Sequence, residues 1–234
     1  MGSTAGSMVK TKTFLTAARQ FVRALIMPAL AVAVLLSGLL AGLVVGGAAS
    51  AAGLAEEAEA FILGMSKTAI IRLTDPEISR DERKLRMRDM MTEYFHVPGI
   101  AQWVLGRFWR QASSEEREEY VALFEDLMVE SYVDRFATYS GETLVIVKTD
   151  VRDGKDVIVS STLARPETSE PIHLDWRVRS RGGEYKVVDI MVEGVSMGQT
   201  QRSEFASAIK NNGGDITKFL TELRERVVIA GSGA

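Results

Sequence analysis

Pro171-Ile172-His173-Leu174-Asp175-Trp176-Arg177-Val178-Arg179-Ser180 is followed by Arg181-Gly182-Gly183 and then by Glu184-Tyr185-Lys186-Val187-Val188-Asp189-Ile190-Met191-Val192. In the first run Ile172, Leu174, Trp176 and Val178 alternate with His173, Asp175, Arg177 and Arg179. A period of two places these sets on opposite faces of a strand. The second run brings Val188, Ile190 and Val192 onto one side. The glycine pair between the runs supplies the positive φ that a tight hairpin demands. Toward the N-terminus, residues 142–149 and 155–164 alternate in the same way, and Asp153-Gly154 marks another hairpin turn. Four alternating runs so closely joined predict an antiparallel meander with one apolar face and one wet face.

An apolar sheet face must be covered, and the flanking sequence offers helices for the purpose. Residues 55–73 carry Ala58, Phe61, Ile62, Met65, Ala69 and Leu73 at helical spacing before Asp75-Pro76 stops the run. A second helix is predicted over 79–94, capped by Ser79 with Glu82 three residues on, and burying Leu85, Met90 and Met91. Val97-Pro98 breaks that pattern and opens a short helix with Ile100, Trp103, Val104 and Leu105. Ser113 and Glu116 form a further capping box. Behind it Tyr120, Leu123, Phe124, Leu127, Met128, Ser131, Tyr132 and Phe136 follow one stripe. After the strands, helices are predicted over 199–210 and 215–227, parted by Asn211-Asn212-Gly213-Gly214, with Asp215 as the second N-cap. The expected architecture is α+β: a four-stranded antiparallel sheet with helices on one face.

Composition narrows the function classes. The 234 residues are 46% hydrophobic and 25% charged, the balance of a single globular domain. Residues 1–51 hold Lys10, Lys12, Arg19 and Arg23 and no acid, so the rest of the chain has 24 basic residues against 31 acidic ones. An acidic domain without a basic block does not suit nucleic acid. The chain has no cysteine, and His96 and His173 are not spaced as metal ligands, so no cofactor or metal is expected.

Four basic residues, a long apolar run and the A-x-A pattern Ala49-Ser50-Ala51 predict a cleavable signal peptide over 1–51 and a mature domain over 52–234. The competing reading is an uncleaved inner-membrane anchor. Either one exports the domain.

Further stretches resemble one family: Val104-Leu105-Gly106-Arg107-Phe108-Trp109-Arg110, Tyr139-Ser140-Gly141-Glu142, Trp176-Arg177-Val178-Arg179 and Tyr185-Lys186-Val187-Val188-Asp189. Above all, Val192-Glu193-Gly194-Val195-Ser196 is followed by Thr200-Gln201-Arg202-Ser203-Glu204-Phe205. In order and spacing these resemble the MlaC family, toluene-tolerance auxiliary components of an ABC transport system that maintains outer-membrane lipid asymmetry; they suit its hopanoid-associated branch equally. The resemblance implies an NTF2-like fold around an apolar cavity and a periplasmic carrier of phospholipid. Its implied partners are an MCE-domain subunit of an inner-membrane ABC transporter and an outer-membrane lipoprotein complex. A diffusing carrier is expected to be a monomer.

With that resemblance, the lipid-contacting residues are expected to be Phe108, Trp109, Phe124, Leu127, Met128 and Tyr132 from the helices, and Trp176, Val188, Ile190 and Val192 from the sheet. Each could equally fill an ordinary core. The remaining alternative is an inner-membrane-anchored hopanoid-associated or interaction protein without lipid cargo. An enzyme is not expected: Asp175 and Asp189 are the only strand carboxylates worth testing, and no nucleophile constellation accompanies them. Arg202 is expected to ion-pair with Glu193 or Glu204, ahead of a contact to lipid phosphate or a partner. Asp81-Glu82-Arg83-Lys84 is expected to be a solvated helix face.

Overall fold

The computed structural model describes residues 45–166 and 168–232. Helix α1 spans Val45–Leu73, α2 Arg80–Tyr94, α3 Val97–Leu105 and α4 Ser114–Ala137, with a 3-10 turn at Gly106–Arg110 before α4. Strands β1 Thr143–Arg152, β2 Asp156–Arg165, β3 Thr168–Arg181, β4 Glu184–Val192 and β5 Val195–Ser196 follow, then α5 Met197–Asn211 and α6 Ile216–Gly231. Of the expected export segment, residues 1–44 lie outside the described residues. Helix α1 starts ten residues earlier than its apolar stripe suggested, so Ala49-Ser50-Ala51 lies in its first turns. Alanine-rich sequence propagates a helix well even where no stripe marks it. Among the described residues no helix is long and apolar enough to cross a membrane.

The sheet is an antiparallel meander in the order β1-β2-β3-β4-β5. Its fifth strand was not expected, because two residues are too few to show an alternation. Asp153 and Gly154 both have positive φ, as do Gly182 and Gly183, which is the backbone these two hairpins need. Val157, Val159, Val178 and Val187 are fully buried on one face, beneath Ala58, Ile62, Met65 and Leu73 of α1 and Met90 of α2. A bulge corrects the sequence reading of β4. The register shifts between Arg177 and Val178, so that Val187 faces Val178 while Ile190 faces Trp176. The extra residue is Val188, which is half-buried, and the core position belongs to Val187.

Caps form where the sequence placed them. Ser79 Oγ accepts from the Glu82 N–H, Asp215 Oδ1 accepts from the Lys218 N–H, and Ser113 and Glu116 make both bonds of a capping box. Gly214 ends α5 by donating its N–H to the Ile209 carbonyl. Two details of α2 differ from expectation. Leu85 is 60% exposed, whereas Arg83 is only 6% exposed. The Arg83 guanidinium runs inward, donating from Nε to the Leu73 carbonyl at 2.8 Å and from Nη2 to the Asp75 carbonyl at 3.1 Å. These are orphan acceptors at the C-terminal end of α1, which a cation satisfies especially well. Arg83→Met should cost about 1–3 kcal/mol in urea unfolding, because two carbonyls lose their donors. A loss under about 0.5 kcal/mol would mean that water replaces the guanidinium at little cost.

On the opposite sheet face Asp156 is buried beneath two arginines. Arg179 Nε donates to Oδ1 at 2.7 Å, and Arg177 Nη2 donates to Oδ2 at 2.6 Å. The hydrogen bond from Arg179, helped by Arg177, holds the Asp156 carboxyl below its usual range against the opposing effect of burial. Its contribution is therefore complete above the range where an unfolded aspartate titrates, near about 3.9, and fades as the pH falls through the lower folded value. Asp156→Asn should flatten the acid limb of a stability-against-pH curve measured by denaturant unfolding. An unchanged acid limb would refute the linkage.

Candidate functional site

Two buried clusters, rather than one contiguous core, fill the domain. The helical cluster gathers Val104, Leu105, Phe108, Tyr120, Phe124, Leu127, Phe205, Phe219 and Leu223 from α3 through α6. Its middle is aromatic: Tyr120, Phe124 and Phe219 surround Phe205 with ring centroids 6.1, 6.4 and 5.1 Å away. Tyr120 donates its hydroxyl to the Ala101 carbonyl at 3.1 Å, and burial pushes that phenol well above its ordinary value. The sheet cluster is the valine layer under α1. Half-buried Met87 and Phe95 pack against both clusters.

Beyond the valine layer, the apolar face of the sheet is left partly open. Leu163, Ile172, Leu174, Trp176, Ile190 and Val192 continue that face, and each is only half-buried. Cross-strand pairing aligns them: Leu163 opposes Ile172, Leu174 opposes Val192 and Trp176 opposes Ile190. The one polar group that the indole would bring is tied off within the sheet. Trp176 Nε1–H donates to Ser161 Oγ at 2.9 Å, and the buried Ser161 donates in turn to the Leu174 carbonyl at 3.1 Å. Trp176 therefore presents hydrocarbon alone to whatever lies over it.

The expected lipid-contacting residues divide between these regions. Phe108, Phe124 and Leu127 are buried in the helical cluster, with Trp109 and Met128 half-buried against it. Trp176 and Ile190 pack partly against the sheet cluster. Val188 and Val192 are half-buried outside both clusters, and Tyr132 is 38% exposed under the Arg135 guanidinium. Leu163, Leu174 and Ser161 were not among the expected residues. The alternation through Val157, Val159, Ser161 and Leu163 would have revealed β2, but no sequence signal links Ser161 to Trp176.

The residues that carry the family resemblance form a structural joint. Glu193 and Gly194, both at positive φ, turn β4 into β5. Ser196 caps α5 by accepting from the Gln199 N–H and donates its hydroxyl to Asp189 Oδ2 at 2.6 Å. Asp189 Oδ1 accepts from the backbone N–H groups of Ile190 and Gly198. Three donors hold this carboxylate in place, so it ties β4 to the start of α5. A Cβ on Gly198 would run into the Trp103 ring, so glycine allows α5 and α3 to meet there. The expected ion pair of Arg202 is absent. Its Nη1 donates to the Trp103 carbonyl at 2.8 Å and its guanidinium lies over the Trp103 ring, because the last turn of α3 offers unpaired carbonyls. Glu193 instead accepts from the His173 N–H, and Glu204 from Gln201.

No group of three His, Cys, Asp or Glu suited to a metal ion occurs among the described residues. The open sheet face offers contact with hydrocarbon and no titratable group.

The chain is 24% identical over 165 residues to the intermembrane phospholipid transport system binding protein MlaC of Haemophilus influenzae, covering 68% of this chain and 77% of that one. It is 23% identical over 123 residues to the toluene tolerance protein ttg2D of Pseudomonas putida, covering 52% and 57% respectively. Among solved structures it resembles a phospholipid-binding protein from Ralstonia solanacearum, solved in complex with a phospholipid. That match has a TM-score of 0.68 at 24% identity and covers 74% of this chain and 98% of the other, so the fold is shared. The family model described as MlaC protein matches residues 65–225, more than half of the sequence, and the chain belongs to the MlaC family.

Proposed function

We propose that this protein is a periplasmic carrier that holds phospholipid by its acyl chains and moves it between the outer membrane and an inner-membrane ABC transporter. The observation that carries the reading is the half-buried row of Leu163, Ile172, Leu174, Trp176, Ile190 and Val192, on an apolar face whose only indole N–H is already satisfied. Family membership and the phospholipid-bound structural relative support it. The acyl chains lie between the sheet cluster and the helical cluster, in contact with Trp109, Met128 and Tyr132 on one side and Trp176, Val188, Ile190 and Val192 on the other. Phe108, Phe124 and Leu127 back the helical wall.

Energetics set what such a carrier must do. Each buried methylene is worth about 0.8 kcal/mol, so two chains of roughly 16 carbons represent on the order of 20 kcal/mol of transfer energy. Only an extensive hydrocarbon surface competes with a bilayer at that level, whereas a headgroup left in solvent needs no specific contact. The protein acts without a cofactor and catalyses no reaction. Residues 1–51 export it, and it works as a monomer. Its docking partners are an MCE-domain subunit of the transporter and an outer-membrane lipoprotein complex.

Organic extraction of natively purified protein, followed by mass spectrometry, tests the reading. About one phospholipid per chain is expected. Protein that is folded, never exposed to detergent and free of lipid would overturn it.

A further inference from the structure

The apolar face of β2 runs Val157, Val159, Ser161, Leu163, so a single hydroxyl interrupts it, and that residue is only 2% exposed. Burying a hydroxyl is costly unless it is bonded. Ser161 Oγ is bonded twice, accepting from Trp176 Nε1–H at 2.9 Å and donating to the Leu174 carbonyl at 3.1 Å. The register brings the three residues together. Ser161 lies opposite Leu174 and Val159 opposite Trp176, so Ser161 and Trp176 are diagonal neighbours across β2 and β3, a separation that an indole spans. An indole has one donor and no acceptor. With that donor spent on Ser161, the half-buried ring adds only hydrocarbon to the face it shares with Leu163, Leu174 and Ile190. A valine at position 161 would continue the apolar row, but it would leave the indole N–H without this acceptor.

We propose that Ser161 sets which acyl chains this face accepts: by holding the Trp176 N–H inside the sheet, it favours unsubstituted hydrocarbon and disfavours chains that carry a hydroxyl. The inference rests on the carrier reading and names what that site selects. A run of methylenes asks nothing of the wall except contact. A chain hydroxyl laid over the same residues must leave water, and their side chains offer it neither donor nor acceptor, so its burial goes uncompensated. A free donor on that wall would reverse the outcome, because the indole N–H and the chain hydroxyl would then satisfy each other. Ser161 removes that donor. On the helical wall the Trp109 N–H and the Tyr132 hydroxyl are not buried, since Glu130 Oε2 is the one buried side-chain polar atom without a hydrogen bond among the described residues. Neither group needs the cargo as a partner.

The test incubates the soluble form of the protein, freed of co-purified lipid, with vesicles holding equal amounts of two phosphatidylcholines. One carries oleoyl chains and the other ricinoleoyl chains, which differ by a mid-chain hydroxyl. Mass spectrometry of the reisolated protein gives the ratio of hydroxylated to plain lipid, and the preference of the donor vesicle cancels between variants. Ser161→Ala should raise that ratio about fivefold or more over the wild type. Ser161→Ala combined with Trp176→Phe should return it to the wild-type value, because the freed donor is gone; a merely structural role for Ser161 predicts no such return. Ser161→Cys, which fills the position with a poorer acceptor, should shift the ratio in the same direction and serves if the alanine variant fails to fold. Exchange of the Trp176 indole N–H, followed by NMR and assigned with Trp176→Phe, should be slow in the wild type and faster in both single variants at position 161. An unchanged ratio or unchanged exchange in those variants, or a double variant that keeps the raised ratio, overturns the role of Ser161 while leaving the carrier intact. Wild type that takes up neither lipid overturns the carrier reading and this inference with it.

Discussion

Ile190→Glu should strip the protein of co-purifying phospholipid, with the lipid-to-protein ratio falling at least about tenfold while the chain stays folded. Ile190 faces Trp176 across β3 and β4 and is half-buried, so a carboxylate there can remain hydrated in the empty protein. Once an acyl chain is laid over it, that carboxylate must either lose its water or take up a proton. Burying an unpaired charge costs several kcal/mol, more than a few methylene contacts return. Val192→Glu provides a second reading, since Val192 lies outside both buried clusters and contributes less to folding. Glu118→Gln, on the exposed side of α4, is the control and should keep full cargo. The measurement is extraction and mass spectrometry, with circular dichroism to confirm the fold. Full lipid content in both glutamate variants would show that the acyl chains lie elsewhere.

Phe205→Ala should produce the largest loss of stability of any substitution considered, about 3–5 kcal/mol. Phe205 is fully buried, and its ring meets those of Tyr120, Phe124 and Phe219. Truncation opens a void that three rigid rings cannot close, so the lost transfer energy is compounded by a cavity. At roughly 2–4 °C per kcal/mol for a domain of this size, the melting temperature should drop by about 10 °C. Denaturant unfolding and calorimetry would both register the change. A loss below about 1 kcal/mol would mean that the helical cluster is loosely packed and can collapse onto the gap. Lipid content separates the two experiments. Phe205 belongs to the stabilising core, so its variant should retain cargo at temperatures where it remains folded.

Much of the architecture was legible without coordinates, for a physical reason in each case. Ser79, Ser113 and Asp215 announce helix starts because a short polar side chain satisfies amide groups within its own turn. Asp153-Gly154 and Gly182-Gly183 announce hairpins because few residues tolerate positive φ. The alternation through β3 survives because its register with β2 runs unbroken from Ile172 to Arg179. Alternation failed in β4, where one inserted residue shifted the core position from Val188 to Val187. A bulge leaves no mark where two valines, Val187 and Val188, stand side by side.

Local chemistry therefore determined the elements: where helices start, where strands turn, and which strand face is apolar. These depend on groups a few residues apart, whose geometry the chain itself enforces. Only the tertiary structure decided which partner each long side chain takes, because such contacts join segments distant in sequence. It sent Arg83 inward to the carbonyls of α1, drew Arg202 to Trp103 rather than to a carboxylate, and closed Ser161 onto Trp176. It also left Leu163, Leu174 and Val192 half-open while sealing Val157, Val159 and Val187. Covering an apolar face depends on where helices from the other end of the chain come to rest, and no run of residues records that by itself.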